Sequence, residues 1–215
     1  MPAGGRHPGW PDVLGGLRVR AGEVALRPVR LRDGAAWSAL RLRDRAHLEP
    51  WEPSMPGTWT QRHSTAEWPG RWMLLRSVAR RGAALPFAIT VDGRLAGHVM
   101  IGNVVREPLL SGYVGYWCDR ELTGSGVTTA AVALAVDHCF GPVGLHRLEA
   151  TVRPENAASR RVLEKLGFRE EGLFRRYLDV DGDWRDHLCY AQTVEDLPHG
   201  GLVRRLVSQG RAQRV

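Results

Sequence analysis

One junction restricts the fold of this chain more than any other: two glycines separate a strand-like segment from an alanine-rich, helix-like one. The sequence ELTGSGVTTAAVALAVDHC, Glu121 to Cys139, follows the alternating stretch SGYVGYWC. Because glycine lacks Cβ, Gly124 and Gly126 can turn with unusual dihedral angles and approach a bulky group. The first turn of a helix also presents unpaired N–H groups that bind anions. The junction predicts a strand-to-helix turn that either only redirects the chain or also holds a phosphate.

Two common phosphate-binding loops do not fit this junction. A P-loop needs Gly-Lys-Ser/Thr after a longer spacing, and no lysine stands here. A dinucleotide fingerprint needs a third glycine where Thr129 stands, within a parallel βαβ unit. The remaining candidate is a pyrophosphate loop in a mixed sheet, which points to coenzyme A.

The other elements predict an α/β (α+β) fold. Strands are expected at about 24–28, on both sides of Asp92-Gly93, at 109–118, at 146–152 and on both sides of Asp181-Gly182. Helices are expected at about 33–45, 71–81, 126–140 and 154–166, the last with Pro154 in its first turn and with Ala158, Val162 and Leu166 on one face. This order indicates a single domain with a mixed, mostly antiparallel sheet of about seven strands flanked by helices.

The length of 215 residues suits one domain with short additional ends. Residues 1–22 are rich in Gly, Pro and Arg, and we expect a flexible segment that is neither a signal peptide nor a membrane span. Residues 23–196 are expected to form the domain, and residues 197–215 a mobile, arginine-rich tail.

The chain is strongly basic, with a formal net charge of +7, and Lys165 is its only lysine. This charge favours nucleic acid, ribosomes or polyanionic cofactors, whereas arginine bias also follows from genome composition. The charges are scattered without interleaved aromatic residues, so direct nucleic-acid binding is not expected. The three cysteines Cys118, Cys139 and Cys189 fit no metal spacing and no complete disulfide scheme, which predicts a cytoplasmic protein without a metal.

Four segments in this order resemble the GNAT superfamily of N-acetyltransferases. ELTGSGVTTAAVALAVDHCF carries the family's Gly-x-Gly motif, and HRLEATVRPENAASRRVLEKLGF carries its Asn-bearing helix that ends in Gly-Phe. LEPWEP, at 48–53, and DGDWRDH, at 181–187, resemble the ribosomal-protein alanine N-acetyltransferases within it. The resemblance spans about residues 24–194 and implies direct transfer of acetyl from acetyl-CoA to an amine, without an acyl-enzyme.

The resemblance also implies where acetyl-CoA binds. The backbone of Trp117, Cys118 and Asp119 is expected to pair with the pantetheine arm as an additional strand. The pyrophosphate is expected at the N–H groups of Thr123, Gly124, Ser125, Gly126, Val127 and Thr128. Asn156 and Ser159 are expected to contact the pantetheine, unless Asn156 instead caps its helix.

Two positions depart from the family pattern. Glu121 stands where Gln or Arg is usual, and a carboxylate beside a pyrophosphate is repulsive unless it points away. Leu163 stands seven residues after Asn156, where many relatives have a tyrosine. Ser159 or a water is therefore expected to act as the general acid. Glu149 is the candidate general base if strand alternation aims it at the cleft, and otherwise an exposed or ion-paired carboxylate.

The acceptor side is predicted from the segment LEPWEP and from Asp186, with His187 as a further candidate. Glu49 and Glu52 are expected to attract a cationic N-terminus, and Trp51 to form an apolar wall or to pack in the core. Neutralising an α-amine at pH 7 costs about 1 kcal/mol, against about 4.6 kcal/mol for a lysine amine. A weak base therefore favours an N-terminal α-amine.

The leading hypothesis is an N-acetyltransferase of protein N-termini, with a ribosomal protein as the candidate partner. An acetyltransferase of a small amine, such as an antibiotic or metabolite, and a non-catalytic CoA-binding or ribosome-associated module both remain open. No membrane partner is expected, and the sequence allows a monomer or a homodimer.

Overall fold

Nine strands form one sheet over residues 9–215, the part of the chain that the computed structural model describes. The strands are β1 (Leu14–Val19), β2 (Gly22–Pro28), β3 (Leu85–Val91), β4 (Arg94–Val105), β5 (Ser111–Cys118), β6 (Arg147–Val152), β7 (Arg169–Val180), β8 (Asp183–Thr193) and β9 (Gln213–Arg214). Their order across the sheet is β7-β8-β6-β5-β4-β3-β2-β1-β9. The mixed, mostly antiparallel sheet is confirmed, and the two strands beyond the predicted seven come from the chain ends.

Seven α-helices cover the two faces and the edges of this sheet in the described residues. They are α1 (Gly34–Arg43), α2 (Arg45–Leu48), α3 (Trp59–Arg62), α4 (Trp68–Arg80), α5 (Val127–Phe140), α6 (Ala157–Leu166) and α7 (Gly201–Ser208). Short 3-10 helices occupy Leu31–Asp33, Glu49–Trp51, Thr65–Glu67, Arg120–Leu122 and Val194–Asp196. None of the helices over residues 9–215 has the length and apolar character that a membrane crossing requires.

Both predicted hairpin turns are confirmed by their backbone angles. Asp92 and Gly93 have φ of 48° and 78°, and Asp181 and Gly182 have φ of 57° and 73°. Two successive positive φ values match the right-handed twist of the flanking strands, which explains the Asp-Gly sequence.

The two faces of the sheet carry different cores. On one face α5 is buried around most of its circumference, and its small alanine side chains let it approach the strands closely. On the other face Trp37 of α1 and Trp68 of α4 pack with Val29 and Ala88. Trp117 of β5 packs against this second cluster.

One strand pair creates an opening in the sheet. β5 and β6 are the only parallel neighbours among the described strands, and they pair over Ser111–Tyr113 and Arg147–Glu149. Beyond this point β5 continues to Cys118 and β6 to Val152 without pairing. The two strands therefore separate and leave a gap.

The predicted end segments are wrong for the residues that the structure describes. β1 pairs with β2 and with β9, so residues 14–19 and 213–214 belong to the sheet. Helix α7 buries Leu202, Val203 and Leu206 against the core, and both oxygens of the Asp137 carboxylate accept N–H groups at its start. Residues 1–8 of the predicted flexible segment lie outside the described residues.

Candidate active site

A cavity of about 1110 Å³ occupies the gap between β5 and β6. The ends of these strands, the start of α5, one side of α6 and the segment around Trp51 form its walls. Most of the residues predicted for the cofactor line this cavity, whereas half of those predicted for the acceptor do not.

The loop before α5 exposes main-chain donors to the cavity. Gly124 and Gly126 have φ of 77° and 94°, the left-handed region that favours glycine. Thr123 N–H donates to Arg120 O and Ser125 N–H to Leu122 O, so the turn itself uses these two groups. Within residues 9–215 the N–H groups of Gly124, Gly126, Val127 and Thr128 have no acceptor in the protein. The predicted cradle is therefore narrower than the run from Thr123 to Thr128.

The carboxylate of Glu121 points away from this loop. It lies 3.4 Å from Arg43, its side chain is 74% exposed, and it does not line the cavity. The same guanidinium pairs with Asp44 and Asp119. An acid at this position therefore places no negative charge at the helix start.

The edge of β5 that faces the gap is defined by its pairing with β4. Asp119 N–H donates to Ala96 O, which makes the next pair, Gly97 and Cys118, a pair without mutual hydrogen bonds. The main chain of Cys118 therefore faces the gap, while that of Trp117 faces β4. Of the three residues predicted for the pantetheine arm, Trp117 and Cys118 line the cavity and Asp119 does not.

The thiol of Cys118 is buried, and this burial raises its pKa to about 11. The side chain thus stays protonated at neutral pH and is a poor nucleophile.

Helix α6 begins later than the sequence indicates. Asn156 is its N-cap, and the Asn156 Oδ1 atom accepts the Ser159 N–H at 3.0 Å, so Pro154 lies before the helix. Ala158 is exposed toward the cavity, and Leu163 and Leu166 form the buried side instead of the predicted face. Asn156 caps the helix and also lines the cavity, so the two predicted roles are compatible.

Tyr116 of β5 joins the site, although no role was predicted for it. Its hydroxyl lies 2.8 Å from Ser159 Oγ and donates to Ser159 O at 3.2 Å. Burial raises the pKa of this phenol, so it is protonated at neutral pH. Leu163 is fully buried in the core. A tyrosine hydroxyl thus reaches Ser159 from the strand, not from the helix position that Leu163 occupies.

Glu149 does not line the cavity, which contradicts its predicted position. It pairs with Tyr113 in the last step before β5 and β6 separate. Its carboxylate accepts Arg147 Nε at 2.8 Å and is 43% exposed. The ion-paired alternative is therefore the one observed.

The acceptor residues predicted from sequence fall into two groups. Trp51 and Glu52 line the cavity, with the Trp51 ring 5.4 Å from the Arg153 guanidinium carbon. Glu49 instead pairs with Arg45 at 2.6 Å, away from the cavity. Asp186 accepts the N–H of Arg176 at 2.8 Å and fixes the β7–β8 pairing, so it is also outside the cavity.

His187, the residue after Asp186, is buried and lines the cavity. Its Nδ1 atom lies 3.0 Å from Arg185 O, and a carbonyl only accepts, so Nδ1 carries the hydrogen. The neutral ring therefore has its lone pair on Nε2. Burial lowers the pKa of His187, and Arg153 acts in the same direction, while Glu155 and Asp186 oppose it.

Comparison with known proteins identifies the family of this chain. Residues 23–169 match the model of the acetyltransferase (GNAT) domain. The structure of Mycobacterium smegmatis RimJ in complex with CoA-disulfide has a TM-score of 0.95 and 56% identity, and covers 97% of this chain and 100% of that one. The ribosomal protein uS5-alanine N-acetyltransferase of Escherichia coli (strain K12) is 28% identical over 89% of this chain and 98% of its own length.

A probable N-acetyltransferase of Bacillus subtilis (strain 168), YjcK, is 44% identical over 100 residues, which are 46% of this chain and 55% of that relative.

Within residues 9–215 no group of three or more His, Cys, Asp or Glu side chains is placed to hold a metal ion. The chain belongs to the GNAT acetyltransferase family and is an acetyl-CoA-dependent N-acetyltransferase.

Proposed function

We propose that this enzyme acetylates the N-terminal α-amine of a protein, and that a ribosomal protein is its acceptor. The observation that carries the choice of amine is that the carboxylate expected from the sequence as the candidate general base, Glu149, lies outside the cavity, whereas His187 lines it. A weak base fits an acceptor that loses its proton at a small cost in free energy. Neutralising an α-amine at pH 7 costs about 1 kcal/mol, against about 4.6 kcal/mol for a lysine amine.

The relatives support the choice of acceptor. RimJ of M. smegmatis aligns with almost the whole chain, and the E. coli relative is named for an alanine of ribosomal protein uS5. A ribosomal protein is present in the cytoplasm, which is the compartment expected from the sequence.

For cofactor binding, we propose that the N–H groups of Gly124, Gly126 and Thr128 hold the pyrophosphate of acetyl-CoA, whereas Val127 is fully buried and does not line the cavity. These groups lie at the N-terminal end of α5, where the partial positive charge of the helix favours an anion. The gap-facing main chain of Cys118 is available to the pantetheine arm from one side of the cavity. Asn156 and Ser159 also line this cavity.

For proton transfer, His187 Nε2 is the proposed acceptor of the amine proton. The hydrogen bond from Nδ1 to Arg185 O fixes the tautomer, and the lowered pKa leaves Nε2 unprotonated at neutral pH. Ser159 Oγ, held by Tyr116, is the proposed donor to the leaving thiolate. These two groups come from two elements that line the same cavity, His187 from β8 and Ser159 from α6.

The acceptor is tested by incubating the full-length enzyme with acetyl-CoA and peptides that carry ribosomal-protein N-termini. Matched peptides with a blocked α-amine and a free lysine, together with polyamines and aminoglycosides, serve as comparison. We expect thiol release and a mass increase on the α-amine only. Turnover confined to lysine or to the small amines contradicts the proposal.

The role of His187 is tested with His187→Asn, because the asparagine amide can still donate to Arg185 O. We expect kcat/KM to fall by about 10²–10⁴-fold, with unchanged affinity for CoA and loss of the acidic limb of the pH–rate profile. A variant that keeps this limb excludes the histidine as the base.

A further inference from the structure

One wall of the cavity, on the face covered by α1 and α4, carries an excess of positive charge. Arg41 of α1 is 2% exposed and lines the cavity. Its guanidinium stacks on Trp59 and Trp117, with its carbon 4.7 and 5.0 Å from the ring centres. Its Nη2 atom contacts Glu52 and lies 3.0 Å from His63, while its buried Nε atom has no partner.

Arg71 of α4 adds a second guanidinium to this wall. It stacks on Trp37 at 5.2 Å and lines the cavity. Among residues 9–215 it makes neither a hydrogen bond nor an ion pair within 4.0 Å. Arg71 is exposed and lines the cavity. The N–H donors of its guanidinium are therefore accessible to a ligand.

His98 of β4 is close enough to Arg41 and Arg71 for both charges to act on its ring. It lines the cavity, and its buried Nε2 atom has no hydrogen-bond partner. Burial lowers its pKa to about 3, and Arg41 and Arg71 push in the same direction, so the imidazole is neutral. The wall therefore holds two positive charges, from Arg41 and Arg71, against the single negative charge of Glu52.

This excess is not explained by the cofactor phosphates. The proposed pyrophosphate loop directly precedes α5, and α5 packs in the core on the other face of the sheet. The positive charge of this wall is also opposite in sign to the charge expected from Glu49 and Glu52. Glu49 is outside the cavity, and the charge of Glu52 is matched by that of Arg41. A buried guanidinium is best satisfied by a carboxylate, which accepts its parallel N–H groups.

We propose that this cationic wall, formed by Arg41 and Arg71 beside the neutral ring of His98, binds a carboxylate of the acceptor, so that the enzyme selects N-termini with Asp or Glu at the second or third position. The inference rests on the proposed α-amine acceptor and adds its sequence preference. The same positive field disfavours an ammonium ion nearby, which helps to keep the acceptor amine neutral.

The test uses peptides that begin Ala-Glu-Gln, Ala-Gln-Glu, Ala-Gln-Gln and Ala-Lys-Gln on one common sequence. With the full-length enzyme we expect kcat/KM for the better acidic peptide to exceed that for Ala-Gln-Gln by tenfold or more, and Ala-Lys-Gln to be poorest. In Arg71→Glu the order of the acidic and lysine peptides should reverse, with CoA affinity unchanged.

Arg76→Glu is the matched control. Arg76 lies on the same helix and stacks on Trp72 at the same 5.2 Å, yet it does not line this cavity. It should keep the wild-type order. Equal turnover of all four peptides overturns the charge preference while leaving the α-amine proposal intact, and an unchanged order in Arg71→Glu also overturns it. Absence of α-amine acetylation of every peptide, with CoA bound, instead contradicts the proposed function.

Discussion

The Tyr116 hydroxyl oxygen lies 2.8 Å from Ser159 Oγ, and this contact joins β5 to α6 across the gap in the sheet. Both side chains line the cavity. The Ser159 N–H is held by the Asn156 cap, and Tyr116 also donates to Ser159 O. The main chain of Ser159 is therefore held at both its N–H and its C=O, and its hydroxyl is placed by Tyr116.

Ser159→Ala should lower kcat by about 10²–10⁴-fold if this hydroxyl protonates the thiolate, because general acids contribute in that range. Tyr116→Phe should have a smaller effect, since it removes only the group that orients the serine. Steady-state kinetics with an N-terminal peptide and calorimetric titration with CoA separate catalysis from binding. Ser208→Ala, at an exposed residue that ends α7, is the control. A Ser159 variant that loses CoA affinity but keeps kcat would place the residue in binding alone.

Gly124→Ala should weaken CoA binding more than its cost in folding free energy explains. Gly124 and Gly144 have φ of 77° and 71°, and an added Cβ meets no atom within 4 Å at either. Alanine at each position should therefore cost about 1–2 kcal/mol of folding free energy from the left-handed backbone alone. Only Gly124 lies in the loop proposed for the pyrophosphate. We expect a tenfold or larger rise in Kd for Gly124→Ala and little change for Gly144→Ala, and equal Kd values contradict the cradle.

Sequence predicted those features of the fold that depend on neighbouring residues. The Asp-Gly hairpins, the start of α5 at the glycine loop and the end of α6 at Gly167 are set by local backbone preferences. The cap at Asn156 is local in the same way, whereas its contact with the pantetheine is an expectation from the family resemblance.

Features set by distant contacts were missed. Alternation correctly indicates which side chains of β6 share a face, but not where β5 and β6 separate, so Glu149 was assigned to the cavity. Tyr116 acquires its role from Ser159, 43 residues later. The C-terminal strand β9 pairs with β1 at the other end of the chain, and neither strand has a strong signal alone.

Stability should fall steeply as the pH drops below about 6.5, because two buried histidines are neutral in the fold. Burial lowers the pKa of His63 to about 4 and that of His98 to about 3. The unfolded chain, with histidine pKa near 6.5, then binds more protons, so stability is highest above that pH and is lost as the pH falls toward the folded values. Each imidazole contributes about 1.4 kcal/mol per pH unit to this loss.

The check is the free energy of unfolding from urea titrations between pH 6.5 and 5. His63→Gln, whose amide oxygen can replace Nε2 as an acceptor beside Arg41, should reduce the slope by about 1.4 kcal/mol per pH unit. Equal slopes in wild type and His63→Gln contradict a neutral buried His63.

Leu202→Ala tests whether the C-terminal segment is part of the folded domain. Leu202 is fully buried on α7, and truncation of a buried leucine typically costs about 2–5 kcal/mol. If residues 197–215 formed a mobile tail, Leu202→Ala would leave the free energy of unfolding unchanged. Val215→Ala, at a side chain that is 66% exposed, should stay within about 0.5 kcal/mol of wild type. Because α7 packs on α5 and Leu206 of α7 lines the cavity, the Leu202 variant should also weaken CoA binding, measured by titration at a temperature where it remains folded.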